Sequence, residues 1–527
     1  MKRISLACAL ALHPLASQGG DLEVKPIVGA SVITYKTEYP ANGEDTSNNA
    51  LMLEPSIRTN YTSKLLKAAL TLKNTSVMQS KNSSELDKSF TDVNFNSNLG
   101  LWDERIQFNA QSSRSHRASF AGDAGLTDPI LNAEELSTVQ SNSASLAFTP
   151  KRPDYVGVDL FAQAGESRAD NSPNSFGSDG ELNSDNLNFT ARIYQGHEVK
   201  QVYWNLSGSH QDTKRSNLED FTRRSLQGRI GVAIYNDWHL IAVGSDFDNE
   251  GVTSGTGSNN VNSQSYGAGL EWRRNNGRYI GVTYNKFKQR DNESNYIGVD
   301  LSWPFSSRTS VQASYDKRFF GDNYNLSLNH NNRTWRTRLG YNKGLTSYSQ
   351  LQLVPGDPLV LVCPQGSLDG SGCFFPDSPT YEPKPDEVQV NIPTVRQELT
   401  DEIIVRENAY FNLGYNRSKL LVNLNYSYGY MDYLESNRLQ RNRTVQLSAT
   451  YKLGARTDLK LASSYARTDN IAGSYGQEVR NHSVTLDRKV SKEANLALTL
   501  RYLEREAESA SRSLEDTRLT LQYIYKF

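Results

Sequence analysis

Over its final stretch, Thr517 to Phe527, the chain alternates between two kinds of side chain. Leu519, Leu521, Tyr523, Tyr525 and Phe527 share one face, Arg518, Thr520, Gln522 and Lys526 the other, and Ile524 alone breaks the pattern. Successive side chains of a β-strand point to opposite faces, so such a stretch can meet lipid on one side and water on the other. A half-buried edge strand of a soluble sandwich has the same local pattern. The rest of the chain discriminates between the two.

The stripe recurs. Val422, Leu424, Tyr426 and Tyr428 alternate with Asn423, Asn425 and Ser427; Val445, Leu447, Ala449, Tyr451 and Leu453 alternate with Gln446, Ser448, Thr450 and Lys452. Ile297, Val299, Leu301 and Trp303 oppose Asp300 and Ser302, and Leu187, Phe189, Ala191 and Ile193 oppose Asn188, Thr190 and Arg192. Trp204, Trp272, Trp303 and Trp335 fall near strand ends, where an interfacial aromatic girdle would place them.

Between the stripes, short connections alternate with long ones. The short ones, among them Trp102-Asp103-Glu104, Asn236-Asp237, Asn331-Asn332, Asn416-Arg417-Ser418 and Ser491-Lys492-Glu493, are rich in turn-forming residues. The long ones, such as Glu38 to Asn49, Ala118 to Glu134 and Arg168 to Ser184, are rich in Gly, Asp, Ser and Asn. This asymmetry predicts an all-β fold: a transmembrane antiparallel up-and-down β-barrel of about 24 strands (range about 22–26), each near ten residues, with short periplasmic turns and long extracellular loops. Very short outer connections at Asp291–Glu293 and Phe319–Asp322 are where the count is most easily misread.

Composition agrees. In 527 residues, 28 Tyr outnumber 4 Met, Gly reaches 36, and the mean hydropathy is −0.62, as expected when half of every strand faces water. Beyond the N-terminus no apolar run approaches the length of a membrane helix, so a membrane would be crossed by strands. A formal net charge of −1 gives no case for a nucleic-acid partner. Catalytic signals are weak: the His residues are isolated, no Cys/His metal spacing or G-x-S-x-G elbow is apparent, and no cofactor is implied.

Residues 1–19 read as a signal peptide, with Lys2 and Arg3 before the apolar run Ile4 to Leu12 and cleavage between Ala16 and Gly20. Residues 20–527 read as one barrel domain in the outer membrane of a Gram-negative cell, in contact with lipid and lipopolysaccharide. The terminal Tyr523, Tyr525 and Phe527 resemble the signal by which such barrels are handed to the assembly machinery.

If the apolar faces meet lipid, the opposite faces line a lumen. Candidate lining charges are Arg192, Arg229, Asp300, Arg336, Arg338, Arg501 and Arg518, in a wall otherwise built of Asn, Ser, Thr and Gln. Arg336 and Arg338, two apart on one strand, are candidates either for contact with an anion or for pairing with a neighbouring carboxylate. The connection 350–401 is far longer than usual. It carries Pro358 at the head of an apolar run, then Cys363, Cys373 and Phe374-Phe375. Two cysteines in an exported chain suggest a disulfide, and the apolar groups beside them need cover. The segment is expected to narrow the pore from within or cap it from outside, since lumen width grows with strand number, with docking on a partner as the alternative.

Val24-Lys25-Pro26, the region of Tyr35, Leu53-Glu54-Pro55-Ser56-Ile57 and Asn60-Tyr61 resemble the start of the barrels encoded with exopolysaccharide export systems, the EpsL-like and PEP-CTERM-associated proteins grouped as β-barrel porin 2. The C-terminal hairpins, from Arg441-Asn442-Arg443 through Tyr451 to Asp458 and on to Phe527, resemble the same family; the Cys-containing loop has no counterpart in it. The resemblance implies a conduit or accessory porin for a secreted polysaccharide, working with polysaccharide-export components. An uptake porin and a structural or adhesive surface barrel share every strand argument. A plugged TonB-dependent transporter fits less well, because strands begin directly after the leader.

Overall fold

The computed structural model describes residues 19–40, 43–80, 88–118, 128–131, 136–169, 182–216, 219–254, 258–260, 262–274, 277–289, 292–345, 359–364, 387–392, 403–434, 438–470, 476–507 and 513–527. They form a closed antiparallel β-barrel. Of the 25 strands in the main sheet, the short Ser258–Asn260 adds only to the end of Trp238–Ser254, and the other 24 run round the ring. Each pairs with its neighbours in sequence, and Asp21–Tyr39 pairs with Leu514–Lys526 from Ile27↔Lys526 to Glu38↔Glu515. That last pairing leaves no open edge, which a sheet in lipid cannot tolerate.

Cross-strand register puts like with like. Leu519 stands opposite Leu500, which faces Val484, then Leu461, Ala449 and Val422, in an apolar row crossing six strands of the outer surface. Leu519 and Leu500 are 48% and 52% exposed, and each would gain about 2 kcal/mol from an apolar surrounding. Similar residues, including Leu146, Leu187, Leu240 and Ile297, are exposed around the whole ring. On the closing strand this surface runs from Leu519 to Phe527. At about 3.3 Å per residue and a tilt of about 40°, it forms a band about 20 Å tall.

The lower edge of the band is an aromatic girdle: Trp272 stacks on Trp303 at 5.7 Å, Trp335 meets Tyr415 at 4.6 Å, and Tyr525 meets Phe527 at 4.7 Å. Above the band the outward positions become charged, with Arg467 2.8 Å from Glu478 and Arg480 3.0 Å from Glu504. The strands therefore outrun the band. They range from Thr309–Arg318, with 10 residues, to Asp21–Tyr39, with 19, and most exceed the ten expected from membrane thickness because the wall continues into water.

The tight turns fall where expected, at one end with both termini. Asn236 takes φ +46 in the connection between Phe221–Tyr235 and Trp238–Ser254, a left-handed conformation that Asn tolerates. At the other end Arg318 pairs with Gly321, whose φ of +96 closes the hairpin over Phe319 and Phe320. Gln289 pairs with Asn292, so both doubtful outer connections are genuine hairpins.

Candidate functional site

The seven charges assigned to the lumen all lie on the face opposite the apolar band, but they do different things there. Between Val202–Arg215 and Thr309–Arg318 the wall curls tightly enough for its own inner face to meet itself. Arg229 donates from Nη1 to Asp300 Oδ2 at 2.8 Å, with three strands between them. A flat sheet would hold those strands about 19 Å apart, beyond the reach of the two side chains. Arg318 likewise lies 4.1 Å from the centre of the Phe247 ring across three strands. At the loop end Phe221 packs with Ile403, Leu345 and Leu434, although seven strands separate its strand from Ile404–Arg417.

Glu271 is the hub of this sector. Its side chain is fully buried and takes charge-assisted contacts from Arg229 and Arg273, while the Tyr203 hydroxyl donates to it at 2.7 Å. Arg273 also lies over the Tyr203 and Tyr279 rings, at 4.3 and 4.7 Å. A carboxylate so placed is tolerable because two guanidiniums and a hydroxyl replace its water.

Arg501 and Arg518 belong to a second cluster, at the seam where the barrel closes. Their partner comes from an unexpected place: Asp128, in the connection between Ile106–Ala118 and Leu136–Phe148. Arg501 Nη2 donates to Asp128 Oδ2 at 2.8 Å and Arg518 Nη1 to Oδ1 at 3.0 Å. Arg518 Nε lies 2.6 Å from Asp516, to which Thr37 Oγ1 donates at 2.8 Å. The amides of Ile130 and Leu131 donate to Asp128 Oδ1, at 2.9 and 3.3 Å. Ile130 then packs on a buried apolar patch of Ile33, Tyr35, Ala50 and Val77, and Leu131 on another of Val479, Leu503 and Leu514. Burial opposes the Asp128 charge, but Arg518 and Arg501 outweigh it and hold the carboxyl well below the usual carboxylate range.

Ala118 to Glu134 leaves and rejoins the wall at the loop end, as expected, but part of it turns inward. Its segment 128–131 is folded against the inner wall, because two apolar residues and a carboxylate find matching patches there. The signal was available in sequence as Pro129-Ile130-Leu131, apolar residues beside an acid in an otherwise polar connection.

The remaining assignments are more dispersed. Arg192 donates from Nε to Asn205 Oδ1 at 3.0 Å and lies over Tyr194 at 4.9 Å. Arg336 stands opposite Asn331 and Gly414, and Arg338 opposite Asn329 and Asn412, so neither has a carboxylate as its direct cross-strand neighbour. Of the proposed gate, Pro358, Cys373, Phe374 and Phe375 lie outside the described residues. Cys363 belongs to the strand Leu359–Pro364, which pairs with Glu387–Ile392 in a hairpin separate from the barrel sheet; the expected disulfide also falls outside what is described. Among the described residues no group of His, Cys, Asp and Glu forms a metal site.

A recess of about 330 Å³ opens in the curled sector. Asn205, Ser207 and Gln227 form one side, Ser314, Asp316 and Arg318 the other, and Ser265, Asn285 and Tyr296 the floor. A second recess of about 230 Å³ shares Gln227 and Arg318 with the first and adds Phe247, Phe319 and Phe320.

No family model and no curated protein sequence matches the chain. Among solved structures, the FrpB iron transporter of Neisseria meningitidis (F3-3 variant) aligns with a TM-score of 0.44 and 11% identity, covering 95% of this chain and 81% of that one. The siderophore receptor PirA of Acinetobacter baumannii aligns at 0.42 and 10% identity, with 95% and 80% covered. OpdK of Pseudomonas aeruginosa, solved with vanillate, aligns at 0.35 and 9% identity, with 96% and 99% covered.

Proposed function

We propose that the protein is an outer-membrane conduit for hydrophilic, hydroxyl-rich cargo. The observation that carries this reading is the closed ring with lipid-compatible side chains outside and Asn, Ser, Thr and Gln inside. Such a wall can exchange hydrogen bonds with a passing solute in place of water and hold it weakly at each step. Arg229 and Asp300 are matched within the wall, and Arg501 and Arg518 by the inserted Asp128, which favours neutral cargo over ions at these places. Export of a secreted polysaccharide is the finer reading. It is supported by the family resemblance of the first two strands and the C-terminal hairpins, and it brings polysaccharide-export components as partners and the Tyr523, Tyr525 and Phe527 stripe as the assembly signal.

Two measurements test the proposal. Purified barrel in planar bilayers should conduct, and a deletion strain should lose secreted polymer. Absence of conductance sinks the conduit and leaves a structural or adhesive barrel. Conductance with normal polymer secretion removes the export reading and leaves solute uptake.

A further inference from the structure

We infer that the recess in the curled sector is a binding subsite for an uncharged saccharide, one that holds a short stretch of hydroxyl-rich cargo against the wall. Three observations converge on it. The first is enclosure: strands with five others between them supply its opposite sides, so a solute entering here meets protein on more than one face, unlike a solute passing a single wall. Its volume lies within the range of small-molecule sites.

The second is chemistry. Ser207, Gln227, Ser245, Ser265, Asn285 and Ser314 line it with neutral donors and acceptors. The charges at its ends are already matched, Arg229 with Asp300 and Glu271, and Arg318 with Asp316 at 2.7 Å. A charged ligand would have to break those pairs, whereas a sugar hydroxyl can bond beside them. The neighbouring recess presents the Phe247, Phe319 and Phe320 side chains, the kind of apolar surface on which the C–H face of a sugar ring rests.

The third is an unspent polar group. Asn285 is 2% exposed; its Nδ2 donates to Thr283 Oγ1 at 2.8 Å, and its Oδ1 has no partner. Two inward glycines make its position possible, since a Cβ on Gly267 would lie 2.0 Å from Asn285 Oδ1 and one on Gly298 2.6 Å from its Nδ2. A buried amide oxygen with no partner is costly, and a hydroxyl donor reaching it after a small side-chain movement would satisfy it.

The inference takes its cargo class from the conduit reading, but binding does not require conductance, so the two fail separately. Titration calorimetry on the full-length barrel in detergent would use neutral trimers of glucose (α- and β-linked), mannose and galactose, with trigalacturonate as the acidic control. At least one neutral trimer should bind saturably, and trigalacturonate about tenfold more weakly or worse. Ser245→Trp, which fills the recess, and Asn285→Ala should each weaken that binding about tenfold, with retained heat-modifiable gel mobility showing that both variants fold. No saturable binding by any neutral trimer, equal binding of trigalacturonate, or undiminished binding by a folded Ser245→Trp barrel would each overturn the subsite.

Discussion

The curled sector and the closure seam solve one problem by different routes. In each, a buried carboxylate bridges two arginines: Glu271 joins Arg229 and Arg273, and Asp128 joins Arg501 and Arg518. In the curled sector all partners are wall residues, brought together because the sheet bends sharply. At the seam the strands Ala494–Ala507 and Leu514–Lys526 supply the arginines, and the carboxylate comes from a connection 373 residues away from Arg501 in sequence. A wide barrel cannot fill its interior with strand side chains alone. Where its wall curves gently, inward charges and apolar patches need an inserted segment.

The comparison can be broken experimentally. The largest effect is expected at the hub of the curled sector, where Glu271→Ala leaves Arg229 and Arg273 short of a buried partner. Loss of one member of such a cluster costs about 3–5 kcal/mol, which should lower the midpoint of the heat-modifiable gel transition; an unchanged midpoint would mean that the wall-to-wall contacts do not hold the curl. Asp128→Asn should cost less, about 2–3 kcal/mol, because Asp516 remains beside Arg518. Its signature is local: hydrogen exchange at the Ile130 and Leu131 amides should rise at least about tenfold with strand protection intact. Protection lost throughout the barrel would instead make the segment part of the global fold.

A pH titration sharpens the seam further. Because the Asp128 carboxyl is held below the value of about 3.9 it takes in an unfolded chain, its contribution is complete above that value and is lost as pH falls through the folded value. Exchange at Ile130 and Leu131, corrected for intrinsic rates, should therefore be flat from pH 7 to 5 and rise only below about 4. Release near pH 6 would point to another group. The smallest effect is expected on the outer face of the wall above the band, where Arg480→Ala removes ion pairs to Glu478, Glu504 and Glu506. Exposed pairs are screened by water and salt, so the thermal midpoint should stay within the wild-type scatter.

The architecture was legible in the sequence to a large extent. Period-two alternation at Val422–Tyr428 and Leu519–Phe527, punctuated by turns such as Asn236-Asp237, is a local property, and the strand count follows from adding such units. The charges facing inward were legible for the same reason, since parity along a strand decides the face. The partners of those charges were not. Arg501 and Arg518 read only as candidate lumen-lining charges, and Ala118 to Glu134 only as a long polar connection, because neither reading contains a distance across the pore.

What the sequence determined by itself, then, is everything that depends on neighbours along the chain: strand, turn, face and the membrane-compatible stripe ending at Phe527. Tertiary structure alone decided which strands confront each other, that Arg229 reaches Asp300, that Asp128 lies between Arg501 and Arg518, and that a polar recess opens beside Gln227. The physical reason is curvature. Backbone hydrogen bonds specify adjacent strands, whereas contacts across the lumen depend on how sharply the closed sheet bends, a property of the whole ring.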